Sequence, residues 1–175
     1  MVYQKKKAGK PMRLCKDKRR LYRRVKRMLG KTTPLRADCG LLCEKRCCKG
    51  DDGTGMLLFP KEATSFPVRQ NGTRALAVCK GNCKRSSRPL SCRMFPLIPV
   101  RTANGKIRVQ TDKRGAGLCP LIARETEVRF SERFLHRMKR AGKLLYADTE
   151  CRAFLEQCLA EGAQTEQIIK SFLKK

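Results

Sequence analysis

Apolar residues recur at helical spacing between Met12 and Leu29. Leu14, Leu21, Val25, Met28 and Leu29 share one side at about 100° per residue, with Tyr22 and Cys15 at its margin. Lys16, Arg19, Arg20, Arg23, Lys26 and Arg27 fall opposite, and Lys18 is the one basic residue inside the apolar arc. The pattern predicts an amphipathic helix capped by Gly30. Residues 37–53, ADCGLLCEKRCCKGDDG, close in a turn. GMLLF at 55–59 reads as a short buried strand, and Phe59-Pro60-Lys61-Glu62 as a turn into a short helical piece. ALAVC at 75–79 reads as a second strand and 80–91 as a loop. Two prolines keep Met94–Val100 from being a regular inner strand. KIRVQT at 106–111 alternates and suits an edge strand after a turn at Ala103-Asn104-Gly105, and 114–120 is loop. Beyond residue 130 three apolar stripes predict helices. The first is Phe134, Met138, Ala141 and Leu145, with Leu135 beside it. The second is Cys151, Phe154, Leu155, Cys158 and Leu159, and the third Ile168, Ile169, Phe172 and Leu173.

These elements predict an α+β fold: a small irregular domain with short strands, flanked by a basic amphipathic helix and C-terminal helices. Three segments are expected. Residues 1–36 form a basic arm and helix, 37–122 a cysteine-cluster domain, and 123–175 helices packed on that domain. Residues 1–10 are read as disordered. No window holds the ~18 apolar residues that a membrane span needs. The basic start, MVYQKKKAGK, is followed by no apolar run, so no secretory signal is expected.

Charge adds a possible partner. Among 175 residues, 42 Lys and Arg face 15 Asp and Glu, for a net +27. Residues 1–36 hold 15 of the basic groups against one acid, Asp17. Such an arm attracts polyanions, so non-specific binding of RNA or DNA through 1–36 is expected. The competing reading is a helix that docks its apolar stripe and leaves a solvated basic face.

The eleven cysteines are an odd number, and eight of them fall between positions 39 and 119. Without an export signal this argues for metal in a reducing cytoplasm rather than for disulfides. Cys39, Cys43 and Cys47 recur every four residues, and Cys48 follows directly. On an unbroken helix Cys39 and Cys47 lie about 12 Å apart along the axis. Two thiolates on one zinc lie only about 4 Å apart. Either the backbone breaks, with Gly40 the expected place, or more than one metal is present. The spacings fit no zinc ribbon, thioredoxin-type site, radical-SAM run or ferredoxin run.

One pattern does fit. Cys39-x3-Cys43-x3-Cys47-Cys48, then Phe59-Pro60-Lys61-Glu62, then Arg88-Pro89-Leu90-Ser91-Cys92-Arg93-Met94-Phe95-Pro96 resembles the YkgJ-type cysteine-cluster family, described as a zinc- or iron-chelating domain. Arg88, Pro89, Cys92, Arg93, Phe95 and Pro96 match that family's later segment one for one, and Cys83 stands for its cysteine upstream of Arg-Pro. The family's Ile-Tyr pair is missing, and the Cys83–Cys92 spacing is one residue short. The resemblance spans roughly residues 37–122. It implies metal binding through Cys39, Cys43, Cys47, Cys48, Cys83 and Cys92, to which Cys79 and Cys119 are added as ligands. It also implies a relation to domains fused to protein-lysine methylases.

The expected cofactor is an iron–sulfur cluster, ahead of zinc, because eight thiols exceed the need of one tetrahedral ion. Its role would be structural or redox, and the metal would staple a lean core. Arg88 and Arg93 are expected beside the centre, offsetting its negative charge. Alternatives are an RNA- or ribosome-associated protein with a structural metal, or an accessory to a protein-methylating enzyme. Cys151 and Cys158 read as core residues and Cys15 as passive. His136, the only histidine, reads as a solvated residue, so no hydrolase triad can be assembled. GDDGTG at 50–55 reads as a tight turn. No catalytic residue is assigned, and whether the protein is an enzyme is left open.

Overall fold

The computed structural model describes residues 12–50, 55–81 and 83–173, with side chains in the first helix from Lys18 onward. The reading of residues 1–10 and the centre of the GDDGTG turn lie outside the described residues, as do the side chains of Leu14, Cys15, Lys16 and Leu173.

The fold is α+β. Helix α1 spans Met12–Leu29, and Gly30 closes it with its N–H on the Lys26 carbonyl at 3.0 Å. A three-stranded antiparallel sheet follows, in the order β1 (Met56–Leu57), β3 (Arg74–Ala77), β2 (Val68–Asn71). Short helix α2 (Leu90–Met94) leads into a hairpin of β4 (Leu97–Arg101) and β5 (Ile107–Thr111), in which Leu97 pairs with Thr111. Helices α3 (Pro120–Ala123), α4 (Glu132–Tyr146) and α5 (Thr149–Leu173) complete the chain.

The β2–β3 hairpin was not anticipated. Asn71 pairs with Arg74, so the two-residue loop is Gly72-Thr73, and its signal was the glycine at the first loop position, where Gly72 supplies a φ of +60°. The polar residues of β2, exposed throughout, hid the strand from a search for apolar runs. The expected helical piece after Phe59-Pro60 is a turn only. Pro99, the one proline inside β4, is tolerated because both strands of a two-stranded sheet are edges.

The core draws on α1, α2, β4, β5, α4 and α5. Val25, Leu29, Phe134, Met138, Leu145 and Leu155 are fully buried, and each contributes about 1.5–3 kcal/mol by leaving water. Helix α4 comes so close to the hairpin that a Cβ on Gly142 would meet Pro99 Cβ at 2.7 Å and Ile107 Cγ2 at 2.8 Å. The first two C-terminal stripes pack as expected, with Cys151 and Cys158 in the core. The third does not: Ile168 is 58% and Phe172 72% exposed, because α5 runs past the end of the core.

On α1 the buried line is Lys18, Tyr22, Val25, Leu29, so Tyr22 is central rather than marginal. Lys18 is buried because it pairs with Asp148 and Glu150 at the start of α5. Lys26 also leaves the solvated face. Its ammonium lies 2.9 Å from Oε1 of Glu62, a carboxylate buried under the Phe59-Pro60 turn.

Candidate metal centre

Four separate segments carry the eight cysteines expected as ligands. Cys39 opens a 3₁₀ turn, Cys39–Leu42, that Asp38 caps by accepting the Gly40 N–H at 3.0 Å. A second 3₁₀ turn, Arg46–Cys48, carries Cys47 and Cys48. Between them the helical path breaks at Glu44 and Lys45, both with positive φ, and not at Gly40 as expected. The break folds the segment back on itself, and the Lys45 N–H bonds the Gly40 carbonyl at 3.0 Å. The tight turn leaves Leu41 80% and Leu42 62% exposed beside the cysteines.

Cys79 follows β3. Its carbonyl accepts the Gly50 N–H at 2.7 Å, and Lys49 bridges Lys80, so the Cys47–Cys48 turn is stitched to the end of the sheet. Cys83 precedes a 3₁₀ turn at Arg85–Ser87, and Cys92 rides on α2. Cys119 stands just before α3, where the backbone N–H groups of Leu121 and Ile122 reach its sulfur.

All eight line one cavity of about 440 Å³. Lys45, Lys84, Arg85, Arg88 and Arg93 line it too, against a single acid among the described residues, Asp38. Cys119 is buried and the other seven are half-buried, and all of them are free thiols. Among the described residues no three Cys, His, Asp or Glu side chains converge closely enough to hold an ion as they stand. Ligation would require deprotonation and rotation of the side chains.

The electrostatics distinguish the thiols. Cys48 is held down to about 6, because it shares a proton with Cys47 at an Sγ–Sγ distance of 3.9 Å and faces Arg88 and Lys45. Cys47 is raised correspondingly, by that shared hydrogen bond and by burial. Burial pushes Cys92 up to about 12, with Cys48 and Cys83 adding to the effect. Burial likewise raises Cys39, Cys79 and Cys119.

Arg88 borders the cavity, and its Nε donates to Cys83 Sγ at 3.3 Å. Arg93, although it borders the cavity, has a different task. It donates to the backbone carbonyls of Ser86 at 2.7 Å, Arg88 at 3.2 Å and Lys26 at 3.4 Å, pinning the loop to α1. Arg85 was not anticipated. One of its terminal nitrogens donates to the Thr32 carbonyl, while its Nε is buried with no partner. A buried donor without an acceptor, beside the thiols, fits an anionic thiolate-bound group. Glu62, outside the cavity, was read only as part of a short helical piece, and nothing local in the sequence marked it as the buried acceptor for Leu90 and Lys26.

Cys151 and Cys158 lie outside the cavity, in the core. His136 is exposed. Among the described residues no helix is long and apolar enough to cross a membrane. No family model matches the chain, and no curated protein or solved structure does so either.

Proposed function

We propose that this is a thiolate metal-centre protein whose cysteine cavity binds an iron–sulfur cluster, with a structural or redox role. One observation carries the reading: eight cysteines from four chain segments line a single cavity, while Cys151 and Cys158 pack in the core. Packing alone would place all of them like the last two. Five lining cations offset the charge that bound thiolates would carry. The residues that resemble the YkgJ-type family, Arg88, Pro89, Cys92, Arg93, Phe95 and Pro96, border the same cavity and support the reading. Iron is preferred to zinc because 440 Å³ exceeds what an ion closed by four sulfurs at ~2.3 Å requires. A reducing, cytoplasmic setting suits such free thiols.

The test is anaerobic purification with metal and acid-labile sulfide analysis and a visible spectrum. Iron, sulfide and broad visible absorbance are expected. A colourless protein with stoichiometric zinc makes the centre zinc, and a protein that takes up neither ends the metal reading.

A second reading concerns α1, whose Arg19, Arg20, Arg23, Arg24 and Arg27 are exposed. That face supports non-specific binding of RNA or DNA alongside the metal centre.

A further inference from the structure

The eight thiols divide spatially into two sets of four. Cys39 packs into the small cluster built on Cys119, Leu121 and Ile122. Cys43 lies in the electrostatic field of both Cys39 and Cys119, and Cys47 in that of Cys43 and Cys39. On the other side Cys79 bonds Cys83 and feels Cys48, while Cys92 faces Cys48, Cys83 and Cys79. The sets abut at Cys47 and Cys48, whose sulfurs lie 3.9 Å apart. Both sit on the short 3₁₀ turn Arg46–Cys48, so this turn is where the two sets meet.

Each set has its own arginine. Arg88 donates to Cys83 and faces Cys48 and Cys92. Arg85, with its unpartnered Nε, faces Cys39. Ligand arithmetic agrees, because a closed zinc site or a cubane iron–sulfur cluster takes four thiolates. The break at Glu44 and Lys45 matters here. It folds the segment back, where a continuous helix would hold Cys47 about 12 Å along the axis from Cys39.

We propose that the cavity holds two adjacent four-thiolate centres, one on Cys39, Cys43, Cys47 and Cys119, the other on Cys48, Cys79, Cys83 and Cys92. This rests on the reading that the thiols bind metal, and adds how many centres there are and which residues hold each.

The experiment uses full-length protein prepared anaerobically and reconstituted with iron and sulfide, or with zinc. Metal per chain is measured for the parent, for Cys83→Ser and Cys79→Ser in one set, and for Cys43→Ser and Cys119→Ser in the other. Circular dichroism checks folding, and half-buried Cys43 stands in for buried Cys119 if that variant fails to fold. The parent should hold two centres. Each single variant should keep half the metal, and Cys43→Ser with Cys79→Ser together should keep none. One centre in the parent, or loss of all metal from a folded single variant, overturns the division and leaves the metal reading standing. A folded parent that takes up no metal overturns both.

Discussion

The Glu62 carboxylate accepts the backbone N–H of Leu90 at 2.9 Å, across 28 residues of chain, and so ties the Phe59-Pro60 turn to the helix that carries Cys92. The same carboxylate takes the Phe59 N–H at 3.4 Å and the Lys26 ammonium at 2.9 Å. Three donors from three segments thus converge on one buried acid. Glu62→Ala would leave all of them without their acceptor, a loss of about 2–3 kcal/mol. Denaturant melts should show that loss. Metal content should fall with it, because α2 loses its anchor two residues before Cys92.

Cys92→Ser should lower metal content and the melting temperature together, since ligation and folding are linked. Cys151→Ser should leave metal content unchanged, because Cys151 packs against Tyr22 in the core and away from the cavity. Elemental analysis of both variants decides. Equal metal in the two would remove Cys92 from the site.

The two arginines that follow Ser87 should separate cleanly. Arg88→Ala removes the N–H donor to Cys83 and a nearby cation, so the reduction potential of an iron–sulfur centre should become more negative while the fold persists. Arg93→Ala frees three backbone carbonyls and should cost stability first, about 2–3 kcal/mol. Voltammetry and melting, run on both, distinguish the roles.

Asp148 caps α5, accepting the Cys151 N–H at 2.9 Å, and pairs with buried Lys18. Burial alone would raise its pKa, but the hydrogen bonds from Lys18 and Cys151 outweigh it and hold it below the ordinary carboxylate value. Its contribution is therefore present above about pH 4 and is lost as pH falls through the lower folded value. Asp148→Asn keeps a capping oxygen but removes the charge. It should cost on the order of 2 kcal/mol at pH 7 and progressively less below pH 4. Melts across pH 2–7 give the curve.

Deleting residues 1–36 cannot test the basic arm, because Tyr22, Val25 and Leu29 belong to the core. Neutralising Arg19, Arg20, Arg23, Arg24 and Arg27 removes the charge and keeps the buried line. If α1 binds RNA or DNA, affinity should fall, and the salt dependence should flatten by roughly 0.7–0.9 for each lost phosphate contact. Metal content should not change. An unaltered salt slope would make the arginines a solvated face.

The helices were legible because their information is local. The 3.6-residue period placed α1 at Met12–Leu29 and put Phe134, Met138, Ala141 and Leu145 on one buried stripe, as the structure has them. The list of candidate cysteines was equally open to reading, since clustering and the later Arg-Pro segment are features of residue order. Period and spacing do not say which distant residues meet. The approach of Cys119 to Cys39 and the Glu62 link from Lys26 to Leu90 span tens of residues and are fixed by how the hairpins and helices pack. Lys18 and Ile168 show the same limit. A lysine in an apolar arc is buried because Asp148 comes to meet it, and an apolar stripe is exposed because none of the described segments does.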